Sequence, residues 1–74
     1  MNILCITPVS QSMMDNLESK GTVTYEVSIK KKKLINILQK EEHDAIFTNP
    51  NKQDFILGKE ILKNSSIKVI CTAS

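Results

Sequence analysis

The strongest constraint on this chain is an alternation of two hydrophobic periods. Four short runs, at residues 2–6, 22–27, 44–48 and 67–72, are apolar or rich in β-branched residues, as buried strands are. Between them lie three segments whose apolar residues recur at helical spacing. Met13, Met14 and Leu17 mark the first, at 10–20. Leu34, Ile35, Ile37 and Leu38 mark the second, which runs from just after Ser28 to about Glu42. Leu57, Ile61 and Leu62 mark the third, at about 56–64, with Gly58 blurring its start. The punctuation agrees. Gly21 reads as a left-handed helix stop, Ser28 as a helix cap, and Asn49-Pro50-Asn51 as a turn.

A β-α-β-α-β-α-β order requires parallel strands, because each helix carries the chain back across a sheet face. With right-handed crossovers, the simplest doubly wound solution is an α/β fold. It is a flavodoxin-like, three-layer half-domain with strand order 2-1-3-4 and helices on both faces. The chain leaves the first strand in opposite directions, so the loops after strands 1 and 3 should diverge at their carboxyl ends and open a crevice. Those loops hold Thr7-Pro8-Val9-Ser10 and Thr48-Asn49-Pro50-Asn51-Lys52. The second offers amides, backbone N–H groups and an ammonium, although Asn-Pro-Asn is equally a good turn in its own right. The first helix should lie on one face and the other two on the opposite face. That leaves the sheet bare beside strand 4, presenting either Ile67, Val69 and Cys71 or Lys68, Ile70 and Thr72. A homo-oligomer formed through that side is the expectation.

At 74 residues the chain forms one domain and buries only ~60% of its unfolded surface. A net charge of +2 does not by itself point to nucleic acid or membrane as partner. All ten basic residues are lysines, so the bidentate carboxylate or phosphate grip of arginine is absent. No apolar stretch approaches the ~20 residues of a membrane span. The opening MNILCITPV lacks the build of a secretion signal. A cytoplasmic protein follows as the expectation. His43, at a helix end, reads as a cap rather than a catalyst. Cys5 and Cys71 fall on strands about 9–10 Å apart, beyond the ~7 Å that a disulfide allows, and are expected to be reduced core thiols. No metal site is assigned. Lys30, Lys31, Lys32 and Lys33 read as a solvated face, since no aromatics interleave them.

The stretches DAIFTNPNK and IKVICTAS, one helix apart, resemble the NAD-dependent D-2-hydroxyacid dehydrogenases, especially their phosphoglycerate-dehydrogenase-like members. The resemblance spans the whole chain, and its specific part is the last thirty or so residues. It implies the amino-terminal part of a flavodoxin-like substrate-binding domain, cut at a substrate loop. The substrate implied is a small 2-hydroxy or 2-keto acid, touched by Asn49, Pro50, Asn51 and Lys52 and by the loop beginning at Ser74. The resemblance also implies NAD for the whole enzyme. This chain has no GxGxxG turn and no arginine, so no cofactor-binding or catalytic residue is assigned, and the chain alone is expected neither to bind NAD nor to catalyse. Asn-Pro-Asn-Lys stands where phosphoglycerate dehydrogenases often carry arginine, which argues against a phosphorylated substrate. Two other classes compete. A phosphoacceptor receiver would need clustered acids after strand 1 and an aspartate ending strand 3, whereas those strands end Ile6-Thr7-Pro8 and Phe47-Thr48-Asn49. The other is a non-catalytic, self-associating flavodoxin-like module.

Overall fold

The computed structural model describes residues 1–73. The elements are β1 (Asn2–Cys5), α1 (Gln11–Lys20), β2 (Thr22–Tyr25), α2 (Lys31–Lys40), β3 (Ala45–Thr48), a 3-10 turn (Pro50–Lys52), α3 (Lys59–Leu62) and β4 (Val69–Thr72). The strands form one sheet in the order β2-β1-β3-β4, every pair parallel. This is the expected fold class.

The two sheet faces carry separate cores. On one, Leu4, Ile6 and Ile46 pack with Leu34 and Leu38 of α2 and Ile61 of α3. On the other, Ile3, Cys5, Ala45 and Phe47 meet a single helical residue, Leu17 of α1. The expected two-against-one distribution of helices is present. β4 is exposed along its whole length, and its register places Val69 and Cys71 beside Ala45 and Phe47 on the α1 side. Cys71 is therefore an exposed free thiol, not the core residue expected, because no helix covers that part of the sheet.

Several local expectations are corrected. Gly21 is no left-handed stop, because its φ of 167° is extended backbone. Glycine is required there for another reason: a Cβ would stand 2.0 Å from the Met1 carbonyl oxygen. That oxygen accepts the Thr22 N–H at 2.9 Å, the bond that opens the β1–β2 ladder. Ser28 does not cap α2. It lies in the left-handed region at φ 62°, and the helix begins three residues later with no side-chain cap.

α2 also opens on lysines, against the helix dipole. Ion pairs of Lys31 with Glu60 and of Lys33 with Glu26 contribute little at such exposed positions. The burial of Leu34 and Leu38 is worth about 1.5–3 kcal/mol each and decides the outcome. α2 ends at Lys40, and β4 begins at Val69 rather than at residue 67. α3 is a single turn, far shorter than the segment 56–64 that the spacing suggests. Gly58 opens it without a side-chain cap, Asn64 at φ 65° lies just beyond it, and Ile56 is 86% exposed. Only Ile61 of that segment is fully buried.

Candidate crevice at the carboxyl ends of the strands

The central strands reach this end of the sheet fully buried, and each hands over to a buried threonine. Thr7 follows β1, and among the described residues its hydroxyl has no hydrogen-bond partner. The Cys5 thiol donates to the Thr7 carbonyl at 3.3 Å. Burial pushes the Cys5 thiol above its ordinary pKa, and that hydrogen bond opposes the shift only in part. Thr48 closes β3, and its hydroxyl donates to the Gln53 side-chain oxygen. The Gln53 amide nitrogen in turn donates to Phe55 O at 2.9 Å. This chain of bonds folds the post-β3 loop back over the strand end.

Within that loop the expected residues divide into two groups. Asn49 caps the 3-10 turn: its side-chain oxygen accepts the Asn51 N–H at 3.0 Å, and its carbonyl accepts Lys52 N–H at 3.0 Å. Pro50 takes the first position of the turn, where no N–H is needed. These two residues build the turn. Asn51 and Lys52 are exposed and line a hollow of about 420 Å³. The expectation for Ser74 lies outside the described residues.

The other wall of the hollow was not foreseen. The loop 7–10 does not line it, and the Ser10 side chain is occupied as the α1 cap, accepting Met13 N–H at 3.2 Å. Ser28, Ile29 and Lys30 supply that wall instead, with Ile6 between them and the loop of Gln53, Asp54 and Phe55. A usable signal existed, because in a parallel sheet the loop after β2 opens at the same end as those after β1 and β3. The charged groups are Lys30, Lys52 and Asp54, with Lys30 and Asp54 paired loosely at 4.0 Å. Among the described residues Lys52 has no carboxylate within ion-pair distance. The hollow thus carries one surplus positive charge beside an amide and a hydroxyl, which suits a small monoanion with a further oxygen.

His43 takes no part. Its ring is buried at the far end of the sheet, with Nε2 3.0 Å from a Glu41 carboxylate oxygen. It is not the cap expected. The Ser66 hydroxyl accepts the His43 N–H at 3.1 Å and donates to His43 O at 2.8 Å, which ties the residue to the chain entering β4.

The fold and crevice together define a parallel α/β unit with the strand order of a flavodoxin-like half-domain. Comparison with protein-family models, curated proteins and solved structures finds no match. Among the described residues, no helix is long and apolar enough to cross a membrane.

Proposed function

We propose that this chain is the substrate-facing unit of a cytoplasmic, NAD-dependent 2-hydroxyacid dehydrogenase, and that it holds a small 2-hydroxy or 2-keto acid in the hollow between the loops after β2 and β3. The observation that carries the reading is the hollow itself. Lys30, Lys52, Ser28 and Asn51 line one concave surface at the carboxyl ends of a parallel sheet. That is where such sheets bind ligands. The resemblance of DAIFTNPNK and IKVICTAS to the family adds the reaction class.

In that reaction NAD would take the C2 hydrogen as hydride and a base would take the hydroxyl proton; this sequence has no GxGxxG turn to hold NAD. No residue of this chain is assigned as the base, and its part is to bind and orient the acid. Lys52 holds the carboxylate, with no competing partner among the described residues. Asn51 and Ser28 serve the C2 oxygen. Asp54 disfavours a second negative charge, so an unphosphorylated monocarboxylate is the substrate class.

The test is a nitrogen-15 amide titration with pyruvate and with D-lactate at millimolar concentration. Saturable shifts are expected at residues 28–30 and 51–54, and are lost in Lys52→Ala. Shifts that chloride reproduces, or none that saturate, would overturn the proposal.

A further inference from the structure

We infer that β4 is a homotypic docking edge: two copies of the chain pair antiparallel through Val69–Thr72, with Cys71 opposite its own counterpart. The inference does not depend on the acid-binding reading.

Among the described residues the edge is open and unguarded. Val69 N–H donates to Asp44 O at 3.3 Å, and Ala73 N–H donates to Thr48 O at 2.8 Å. In a parallel ladder alternate residues turn to the same neighbour. Val69, Cys71 and Ala73 therefore face β3, while Ile70 and Thr72 turn their N–H and C=O groups outward. Natural edges discourage pairing with prolines, charges or bulges. Val69-Ile70-Cys71-Thr72 has no proline and no charge, and all four residues are exposed. The opposite edge is less inviting, since β2 alternates threonines with Val23 and Tyr25 and runs into Glu26.

The surface area supports a small occupant. The chain exposes 4928 Å². A monomer of its mass is expected to expose about 4,600 Å², an excess of roughly 350 Å². A standard interface removes roughly 800 Å² per partner, so the pairing is weak and concentration-dependent. On the α1 side, Met1, Ile3, Leu17, Phe47, Val69 and Cys71 line an apolar groove of about 140 Å³ running to the edge.

A second copy fits this edge in a way that fixes the register. A two-fold axis normal to the sheet keeps both α1 faces on the same side, so the two grooves become continuous. Directly opposed residues in an antiparallel pair share a face, so the axis must pass through a residue pair and not between pairs. Centring it on Cys71 sets Ile70 opposite Thr72 in both directions, and every outward N–H and C=O of these residues finds a partner. Centring it on Ile70 leaves Thr72 facing Lys68, whose N–H is already given to Asp44 O at 2.8 Å. In the Cys71-centred register the two Cys71 residues form the close, non-hydrogen-bonded pair, with Cα atoms about 4.5 Å apart, within reach of a disulfide.

Sedimentation equilibrium of the reduced chain, from micromolar to millimolar concentration, should give a mass rising from 8.3 kDa towards twice that value. Diamide, which takes two electrons and two protons from a thiol pair, should yield a dimer that peptide mapping shows linked Cys71 to Cys71. Its formation should speed up with concentration in the folded chain and not in urea. Thr72→Pro removes an outward N–H without touching the β3 ladder and should stay monomeric with an unchanged circular dichroism spectrum. Should that variant fail to fold, Thr72→Lys, which sets one ammonium from each copy into the paired edge, should weaken association at least tenfold. A folded wild-type chain that stays monomeric at millimolar concentration would overturn the inference. So would a dimer that survives the folded substitution, or one that oxidises without the Cys71 link.

Discussion

Thr7 and Thr48 look alike in sequence, since each is the threonine that ends a buried strand, yet the structure gives them opposite energetic roles. The Thr48 hydroxyl is bonded to Gln53, whereas the Thr7 hydroxyl is buried with no partner among the described residues. A buried hydroxyl without a partner costs about 1–3 kcal/mol, and a made hydrogen bond contributes about 1 kcal/mol. Thr7→Val, nearly isosteric, is therefore expected to leave stability unchanged or raise it. Thr48→Val should lower it by about 1 kcal/mol or more, because Gln53 loses its partner as well. Urea unfolding of the two variants measures the difference in sign. Cys5 supplies a second residue-scale test. Its folded pKa is raised by burial above the ordinary 9.0. The folded state therefore holds the proton more tightly than the unfolded state. The associated stability is complete below the ordinary thiol pKa and is lost as pH rises through the folded value. Unfolding free energy should fall more steeply above pH ~9 for the wild type than for Cys5→Ala.

The glycines set apart what was legible in the sequence from what was not. β1, β3 and α2 were readable because their burial is complete enough to impose a period on the residues: Ile3, Leu4 and Cys5, then Ala45, Ile46 and Phe47, then Leu34 and Leu38. α3 was over-read. Leu57, Ile61 and Leu62 have helical spacing, but the energy of that segment rests on Ile61, and Gly58 opposes its extension. The crevice was half legible. Asn51 and Lys52 follow from topology, whereas Ser28 and Lys30 carry no compositional mark, because a serine in the left-handed region looks like any other serine. The reason for Gly21 was invisible in the sequence, since it lies in the approach of a residue twenty positions away. The two glycines should therefore respond oppositely. Gly21→Ala forces a Cβ against the Met1 carbonyl and should cost about 1–3 kcal/mol. Gly58 has open space around it and sits at the cap of α3, so Gly58→Asp should stabilise by about 0.5–1 kcal/mol. Thermal denaturation of both variants, with melting temperatures moving in opposite directions, is the check.

Across the whole molecule both ends of the sheet are tied by backbone bonds, and the amino ends add one side chain. At the amino ends a single residue joins three strands. Asp44 donates its N–H to Asn2 O at 2.7 Å, its carboxylate accepts Asn2 N–H at 2.7 Å, and its carbonyl accepts Lys68 N–H at 2.8 Å. The carboxyl ends are tied by backbone bonds as well, from Ile6 N–H to Phe47 O at 3.0 Å, Glu26 N–H to Cys5 O at 2.9 Å and Ala73 N–H to Thr48 O at 2.8 Å, and carry the loops and the candidate hollow. Amide hydrogen exchange should be slowest in the buried central strands, around residues 3–5 and 44–46, and fastest in the exposed turn at 50–53. Asp44→Ala removes only the carboxylate bond to Asn2 N–H, so it should speed exchange at the amino end of β1 and leave β4 and the 3-10 turn unchanged. The Asp44 carboxylate is thus a rivet through β1 and β3 alone, and removing it should leave the hollow at the opposite end of the sheet, and its affinity for an acid, as they are.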